Sequence, residues 1–176
     1  MLQETLFNIP YFTIPTLNFK KKKKQLTNLL NSYPEEKHGI QTFSTNRQND
    51  RSGLVEGFNQ IVGEELNLLT QRLKMGIQIN DIWSVSYGKG DYHSPHNHGS
   101  MGYSGILYLN QPKDSPGTSY IQPWNHIIDD MSIYYPIPVN EGTIVVVPQF
   151  IMHFSPPNKS TKRKRIISWD MTAYKK

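Results

Sequence analysis

The sequence predicts a mainly β protein of the α+β class, in which a β-sandwich or barrel carries N-terminal helices on its outside. Residues 1–76 hold two runs with helical periodicity, and residues 77–174 hold short strand patterns separated by Gly, Pro, Asn and Asp turns. Because helical and strand patterns are segregated, the order argues against alternating βαβ units. With 176 residues, of which 36% are hydrophobic, we expect one domain over 1–176 that buries a sizeable core.

Two helices follow a short N-terminal strand in the predicted order. The stretch "KKKKQLTNLLNSY" is expected to be helical and to stop before Pro34. A longer helix is predicted from Ser52, a plausible N-cap, to Met75, with Gly76 as its stop. Its apolar residues recur every three or four positions and are expected in the core: Leu54, Phe58, Ile61, Val62, Leu66, Leu69 and Leu73.

The second half of the chain carries five strand patterns. In "DIWSVSY" the alternation places Trp83, Val85 and Tyr87 on one face and the two serines on the other. Further strands are predicted within 104–110, 117–123, 142–148 and 165–171. The run "TIVVV" is apolar on both faces, which is typical of a strand inside a sandwich or barrel.

Three of the six histidines lie within "HSPHNH", residues 93–98, at the entry to a strand. In an extended segment His96 and His98 project to the same side and could share one ion. His153, in the apolar context "PQFIMHF", could supply a distant third ligand. The chain has no cysteine, so a metal would be held by nitrogen and oxygen donors, and Fe(II), Zn, Cu or Ni would fit about equally.

The other histidines are assigned supporting or surface roles. His93 is expected to be structural or to lie behind the metal ligands, and His38 and His126 are expected at the surface. If "RIISWDM" is a strand, Arg165 shares its apolar face, where the guanidinium requires an anion. That anion could be a bound carboxylate or an acidic side chain of the protein.

The net charge of +5 is concentrated in Lys20–Lys24 and in the cluster 162–165. Either cluster could contact a polyanion, and a non-enzymatic basic binding module is one alternative function. Aromatic residues are not interleaved with the lysines as a base-stacking surface would require. The N-terminus has no signal-peptide pattern and no apolar run approaches about 20 residues, so we expect a cytoplasmic protein without a membrane span.

Four stretches between residues 79 and 171 resemble the 2-oxoglutarate/Fe(II)-dependent oxygenases related to the prolyl 4-hydroxylases. They are "YGKGDYHSPHNH", "SGILYLNQP", "EGTIVVVPQFIMHFSPPN" and "RIISWD". The resemblance implies a double-stranded β-helix, a jelly-roll or cupin-like barrel, which uses Fe(II), 2-oxoglutarate and O2. It implies that His96, His98 and His153 bind the metal, although His98 stands where an Asp is usual. Asp91 or another carboxylate is therefore an alternative third ligand.

The same resemblance implies roles for three more residues. Arg165, which follows His153 by 12 positions, would bind the 5-carboxylate of 2-oxoglutarate, assisted by Tyr87 or Tyr108. The implied reaction is hydroxylation of an unidentified small-molecule, peptide or nucleobase substrate, with release of succinate and CO2. Trp124, Tyr134 and Tyr135, in the segment 110–141, could contact that substrate.

A second resemblance competes with the first. Gly90 with His96 and His98 matches the first motif of the cupins except for its glutamate, and Gly142, Pro148 and His153 match most of the second. A cupin would share the barrel and the three-histidine metal site but would need no 2-oxoglutarate. Arg165, "SGILYL" and the Tyr-x-x-Gly stretch favour the oxygenase.

Overall fold

The structure is a computed structural model that describes residues 8–38, 42–45 and 50–175. Within these residues the helices are α1 (Phe19–Asn31) and α2 (Ser52–Leu73). The strands are β1 (Phe12–Pro15), β2 (Glu36–His38), β3 (Thr42–Ser44), β4 (Gly76–Tyr87), β5 (His93–His96), β6 (Tyr103–Asn110), β7 (Ser119–Ile121), β8 (Tyr134–Pro136), β9 (Thr143–Pro148), β10 (His153–Ser155) and β11 (Lys164–Tyr174).

The strands form two antiparallel sheets. The larger has the order β1-β9-β6-β11-β4-β3-β2, and the smaller has the order β5-β10-β7-β8. The two sheets face each other across a buried cluster that includes Tyr108 and Val145 from the larger sheet and Tyr120 from the smaller. This confirms the predicted mainly β fold class, with a jelly-roll pair of sheets and N-terminal helices outside it.

The seven-stranded sheet is covered on both faces. Strand β9 illustrates this, because Ile144 and Val146 pack toward the helices while Val145 and Val147 pack toward the smaller sheet. The prediction that "TIVVV" is a strand inside a sandwich or barrel is therefore confirmed. The inner face of this sheet, toward the smaller sheet, positions the candidate site.

The helices bury their apolar residues against the outer face of the sheet. Leu26 and Leu30 of α1 pack with Leu54 and Phe58 of α2 in one cluster. A buried ion pair also joins the two helices, since Lys22 Nζ lies 2.9 Å from Glu65 Oε2. Lys22 also pairs with Glu64 at 2.8 Å.

The basic run at 20–24 is therefore not a uniform charged surface. Lys22 is buried, Lys23 is half-buried and pairs with Glu141 at 3.0 Å, and the other three lysines are exposed. Contact between Lys20–Lys24 and a polyanion stays a prediction, and it would depend on the exposed lysines.

Both predicted ends of α2 need a small correction. Asp50 Oδ1 accepts hydrogen bonds from the Ser52 backbone N–H and hydroxyl at 2.9 and 2.7 Å, so Ser52 is the first helical residue and not the N-cap. At the other end Lys74, with φ 55°, takes the left-handed conformation. Gly76 is thus not the stop but the first residue of β4, where the Tyr174 ring leaves no room for a Cβ.

None of the described helices has both the length and the hydropathy needed to cross a bilayer.

Candidate metal centre

Two neighbouring strands of the smaller sheet bring three histidines together. His96 at the end of β5 is the antiparallel partner of His153 at the start of β10. His98 lies two residues beyond β5, where its backbone N–H donates to Gln149 O at 3.1 Å. One ligand nitrogen from each ring lies within 4.8 Å of the others, so the three residues can bind one ion.

The hydrogen bonds of the rings decide which nitrogen is free. Each ring places Nδ1 against an oxygen: Ser94 O for His96 (2.8 Å), Asp170 Oδ1 for His98 (2.7 Å) and Ile151 O for His153 (3.0 Å). A carbonyl or carboxylate oxygen can only accept, so in each neutral ring Nδ1 carries the proton. Nε2 of each ring is then the available ligand atom, held in orientation by its Nδ1 hydrogen bond.

Burial favours the uncharged form of His96 and His153, which is the form that metal ligation requires. Desolvation lowers the pKa of His153 to about 3, and the neighbouring histidines add to this effect. Desolvation also lowers the pKa of His96, although its hydrogen bond to Ser94 O opposes the change. The Trp83 ring stacks on His98 with a centroid separation of 5.4 Å, and Tyr120 lies 5.8 Å from His153.

Asp91 is not the third ligand. Its Oδ2 accepts the Gly88 N–H at 2.7 Å and its backbone oxygen accepts the Asn158 N–H at 2.9 Å, so it closes a turn. Among the described residues, the potential metal-binding group consists of the three histidines alone.

The remaining histidines lie outside that group. The His93 ring stacks on His96 with centroids 4.2 Å apart. His126 is exposed and lies against Asp129, with Nδ1 2.9 Å from Oδ1. His38 belongs to β2, and its side chain falls outside the described part of the chain.

The resemblance implied that Arg165 binds the 5-carboxylate of 2-oxoglutarate, but the structure shows the alternative, a pair with an acidic side chain. Its guanidinium Nε donates to Glu35 Oε1 at 2.8 Å on the outer face of the sheet, where Ser84 and Ser86 hydroxyls donate to the same oxygen. The expectation that Arg165 shares a face with Trp169 was correct, but that face packs toward the helices. The anion that Arg165 requires is therefore supplied by the protein.

The residue that faces inward is its neighbour, Lys164. Its side chain is completely buried, and Nζ donates to Pro116 O and Ser155 Oγ, each at 2.9 Å. The ammonium also lies 5.0 Å from the centroid of the Tyr87 ring. Burial lowers the pKa of Lys164 to about 8.

Both predicted tyrosines lie in the same interior. Tyr87 and Tyr108 are fully buried between the sheets, and the Tyr108 hydroxyl accepts the Thr118 N–H at 3.1 Å. Desolvation raises the pKa of both phenols, so they remain neutral hydrogen-bonding groups. Tyr87 lines the small cavity that the histidines border, and so do Thr118 and Ser155, which bond Tyr108 and Lys164.

Two cavities adjoin this site. The space bounded by the three histidines and the inner face of the larger sheet is narrow, with a volume of about 20 Å³, room for roughly one water molecule. A larger cavity of about 360 Å³ lies beyond Tyr120 and Ile151 and is bordered by Trp124 and Tyr135. None of the described residues that line it is charged.

Sequence reasoning missed Lys164 and Asp170. Both belong to the inward row of β11, Lys164, Ile166, Ser168 and Asp170, which alternates with the outward row containing Trp169. The available signal was the polar character of this inward row, which is unusual for a strand covered on both faces. A polar row on a buried strand indicates a site.

One protein family matches this chain. Its description is "Putative 2OG-Fe(II) oxygenase", and the match covers residues 81–170, just over half of the sequence. These residues contain all three histidines, Lys164 and Asp170. No curated protein matches the sequence.

Solved structures share the fold at low sequence identity. HygX from Streptomyces hygroscopicus, solved with nickel, 2-oxoglutarate and hygromycin B, has a TM-score of 0.70 at 10% identity, covering 93% of this chain and 83% of its own. SnoN, an α-ketoglutarate-dependent epimerase from nogalamycin biosynthesis, reaches 0.71 at 10% identity, covering 93% and 78%. The viral collagen prolyl hydroxylase of Paramecium Bursaria Chlorella virus-1 reaches 0.58 at 15%, covering 94% and 96%. These likenesses agree with a double-stranded β-helix.

Proposed function

The chain belongs to the 2OG-Fe(II) oxygenase family, and from this we propose that it binds Fe(II) and 2-oxoglutarate between its two sheets and hydroxylates a C–H bond of its substrate. The observation that carries the proposal is the convergence of three ligand nitrogens at a cavity whose Ser155 hydroxyl accepts a hydrogen bond from the buried Lys164 ammonium. When bound, Fe(II) and 2-oxoglutarate supply the oxidising chemistry, in which O2 is consumed and succinate, CO2 and the hydroxylated product are formed.

The donor set suits the metal. His96, His98 and His153 would each contribute Nε2, because their Nδ1 atoms are engaged. Iron oxygenases commonly use two histidines and one carboxylate and leave coordination positions open. Three histidines likewise leave positions for a chelating cosubstrate, and their three neutral rings give the site one more positive charge.

The cation that would hold the cosubstrate is Lys164 in place of Arg165. Its buried ammonium has neutral oxygen partners, Pro116 O and Ser155 Oγ, so a carboxylate would relieve its desolvation. The Tyr87 or Tyr108 hydroxyl would add hydrogen bonds to that carboxylate. Because the adjoining space is only about 20 Å³, side chains that line it would have to move when the cosubstrate enters.

The larger cavity supports a neutral, mainly apolar substrate. Tyr120 lines this cavity, and its ring lies 5.8 Å from that of His153. The volume of about 360 Å³ suits a small molecule or a short peptide segment, and the described lining residues are uncharged. A free amino acid or a nucleotide would leave its charges without partners there. The relatives show that the outcome can vary, since one is an epimerase and another a prolyl hydroxylase.

The alternative functions have less support. A cupin-type metalloprotein would explain the three histidines but gives no role to the buried Lys164. A binding module that acts only through the basic run gives no role to either feature. The family match also favours the oxygenase.

Anaerobic visible absorption tests the proposal. Addition of Fe(II) and then 2-oxoglutarate to the purified protein should produce a charge-transfer band only when both are present. His153→Ala should abolish the band, while His126→Ala, a histidine outside the site, should retain it. Iron uptake without the band would favour the cupin alternative, and a band that survives in His153→Ala would refute the ligand set.

A further inference from the structure

The side chain of Asp170 lies directly behind one of the three proposed metal ligands. Asp170 Oδ1 accepts a hydrogen bond from His98 Nδ1 at 2.7 Å, and the Ser104 hydroxyl donates to the same oxygen at 2.7 Å. Because the carboxylate contacts Nδ1, it lies on the side of the ring away from Nε2. It therefore acts on the metal through His98 and does not occupy a coordination position.

The register of β11 against β6 places Asp170 there. Trp169 is the cross-strand partner of Gly105, and Asp170 is the partner of Ser104. A Cβ at Gly105 would overlap the Trp169 ring, so only glycine allows the indole to pack at this point. The Trp169–Gly105 contact on the outer face thus fixes the Asp170–Ser104 pair on the inner face.

The negative charge of this carboxylate can offset the positive charge of a bound metal ion. Three neutral imidazoles leave the charge of a divalent ion uncompensated, whereas a two-histidine, one-carboxylate site neutralises part of it. Among the described residues, Asp170 is the carboxylate that pairs with one of the three ligands. The side chains of His98 and Asp170 are 9% and 21% exposed, so solvent screens the interaction only partly.

We propose that Asp170 is a positioning residue of the metal centre, which fixes the His98 ring and supplies from behind it the negative charge that a carboxylate ligand would supply directly. A carboxylate that accepts the distal N–H of a ligating histidine makes that ring a stronger donor. The inference rests on the proposed function, because it requires that the three histidines bind a divalent metal.

Two variants separate the charge from the hydrogen bond. Asp170→Asn keeps an acceptor oxygen, which the Ser104 hydroxyl would hold toward His98, but it removes the charge. We expect it to weaken Co(II) or Fe(II) binding roughly 10- to 100-fold in anaerobic titrations. The Fe(III)/Fe(II) midpoint potential should become more positive, because loss of a nearby negative charge disfavours the ferric state. The double variant His98→Asp/Asp170→Asn moves the carboxylate to the ligand position and should regain most of the lost affinity.

Asp129→Asn is the matched control. It removes a carboxylate from the exposed His126–Asp129 pair and changes the net charge equally, so metal affinity and potential should remain those of the natural chain. An Asp170→Asn protein with unchanged affinity and potential would overturn the inference while the proposed function stood. A double variant that folds but binds metal no better than Asp170→Asn would also overturn it. A natural chain that took up no metal would instead refute the proposed function, and this inference with it.

Discussion

Lys164 and Arg165 are neighbours in sequence, yet their charged groups lie on opposite faces of the same sheet. The Lys164 ammonium is buried between the sheets against Ser155 Oγ, and the Arg165 guanidinium pairs with Glu35 on the outer face. The two cations therefore lie in different environments. Lys164 has neutral oxygen partners, as a cation that binds a ligand carboxylate would, whereas Arg165 is already paired with a carboxylate of the protein. This separation leads to a direct test with paired variants.

Lys164→Met should weaken 2-oxoglutarate binding, whereas Arg165→Met should not. Loss of one partner from a buried, hydrogen-bonded charge pair typically costs about 2–5 kcal/mol of binding free energy. Arg165→Met should instead lower the free energy of unfolding by about 1–3 kcal/mol, since Glu35 loses a charge-assisted hydrogen bond. Titration of the iron-loaded proteins with 2-oxoglutarate and urea unfolding would measure the two effects. Equal 2-oxoglutarate affinity in the Lys164→Met and natural proteins would exclude Lys164 as the anchor.

The stability of the unloaded protein should depend on pH through Lys164. Burial lowers the pKa of Lys164 from its ordinary 10.5 to about 8, so between these values the unfolded chain binds more protons than the folded chain. Stability should therefore rise with pH across this window, by at most about 3 kcal/mol for this group. Urea unfolding of the natural and Lys164→Met proteins at both ends of the window would isolate the effect. An equal pH response in the two proteins would argue against it.

Gly105→Ala should destabilise the fold, because its Cβ would overlap the Trp169 ring. Overpacking of this kind costs about 1–3 kcal/mol. Gly63→Ala is the matched control, since an added Cβ at this position of α2 meets nothing within 4 Å. Thermal unfolding should show a lower midpoint for the first variant and an equal or higher one for the second. The reverse order would mean that the sheet adjusts to the methyl group.

Lys22→Met should destabilise the helical layer far more than Lys23→Met. Glu65 is fully buried and accepts two hydrogen bonds from Lys22 Nζ, so loss of the ammonium leaves an uncompensated buried charge, at a cost of about 3–5 kcal/mol. Lys23 and Glu141 form a more exposed pair that contributes about 0–1 kcal/mol. Urea unfolding measures both, and equal losses would contradict the difference in burial.

Strand periodicity predicted much of the fold. It placed Trp83, Val85 and Tyr87 on one face of β4, and that face lies between the sheets. The three histidines could be recognised as candidate ligands because of their spacing and because His153 lies in an apolar context. Their proximity depends on β5–β10 pairing, which the sequence pattern alone does not specify.

The error at Arg165 has a physical cause. Alternation correctly assigned Arg165 and Trp169 to one apolar face of β11, but this sheet is covered on both faces. An apolar face therefore does not identify the interior that holds the metal. Asp170 was missed for a related reason, because its role depends on cross-strand pairing with Ser104 and on contact with a distant histidine.

The two alternating rows of side chains on β11 also limit which insertions and deletions the protein can tolerate. One row contains Arg165, which pairs with Glu35, and Trp169, which packs with the helices; the other carries Lys164 and Asp170. Insertion or deletion of a single codon between Lys164 and Asp170 would exchange the rows beyond that point and damage packing and chemistry together. Length differences among related genes should therefore fall in the connection 156–163, while β11 keeps a constant length.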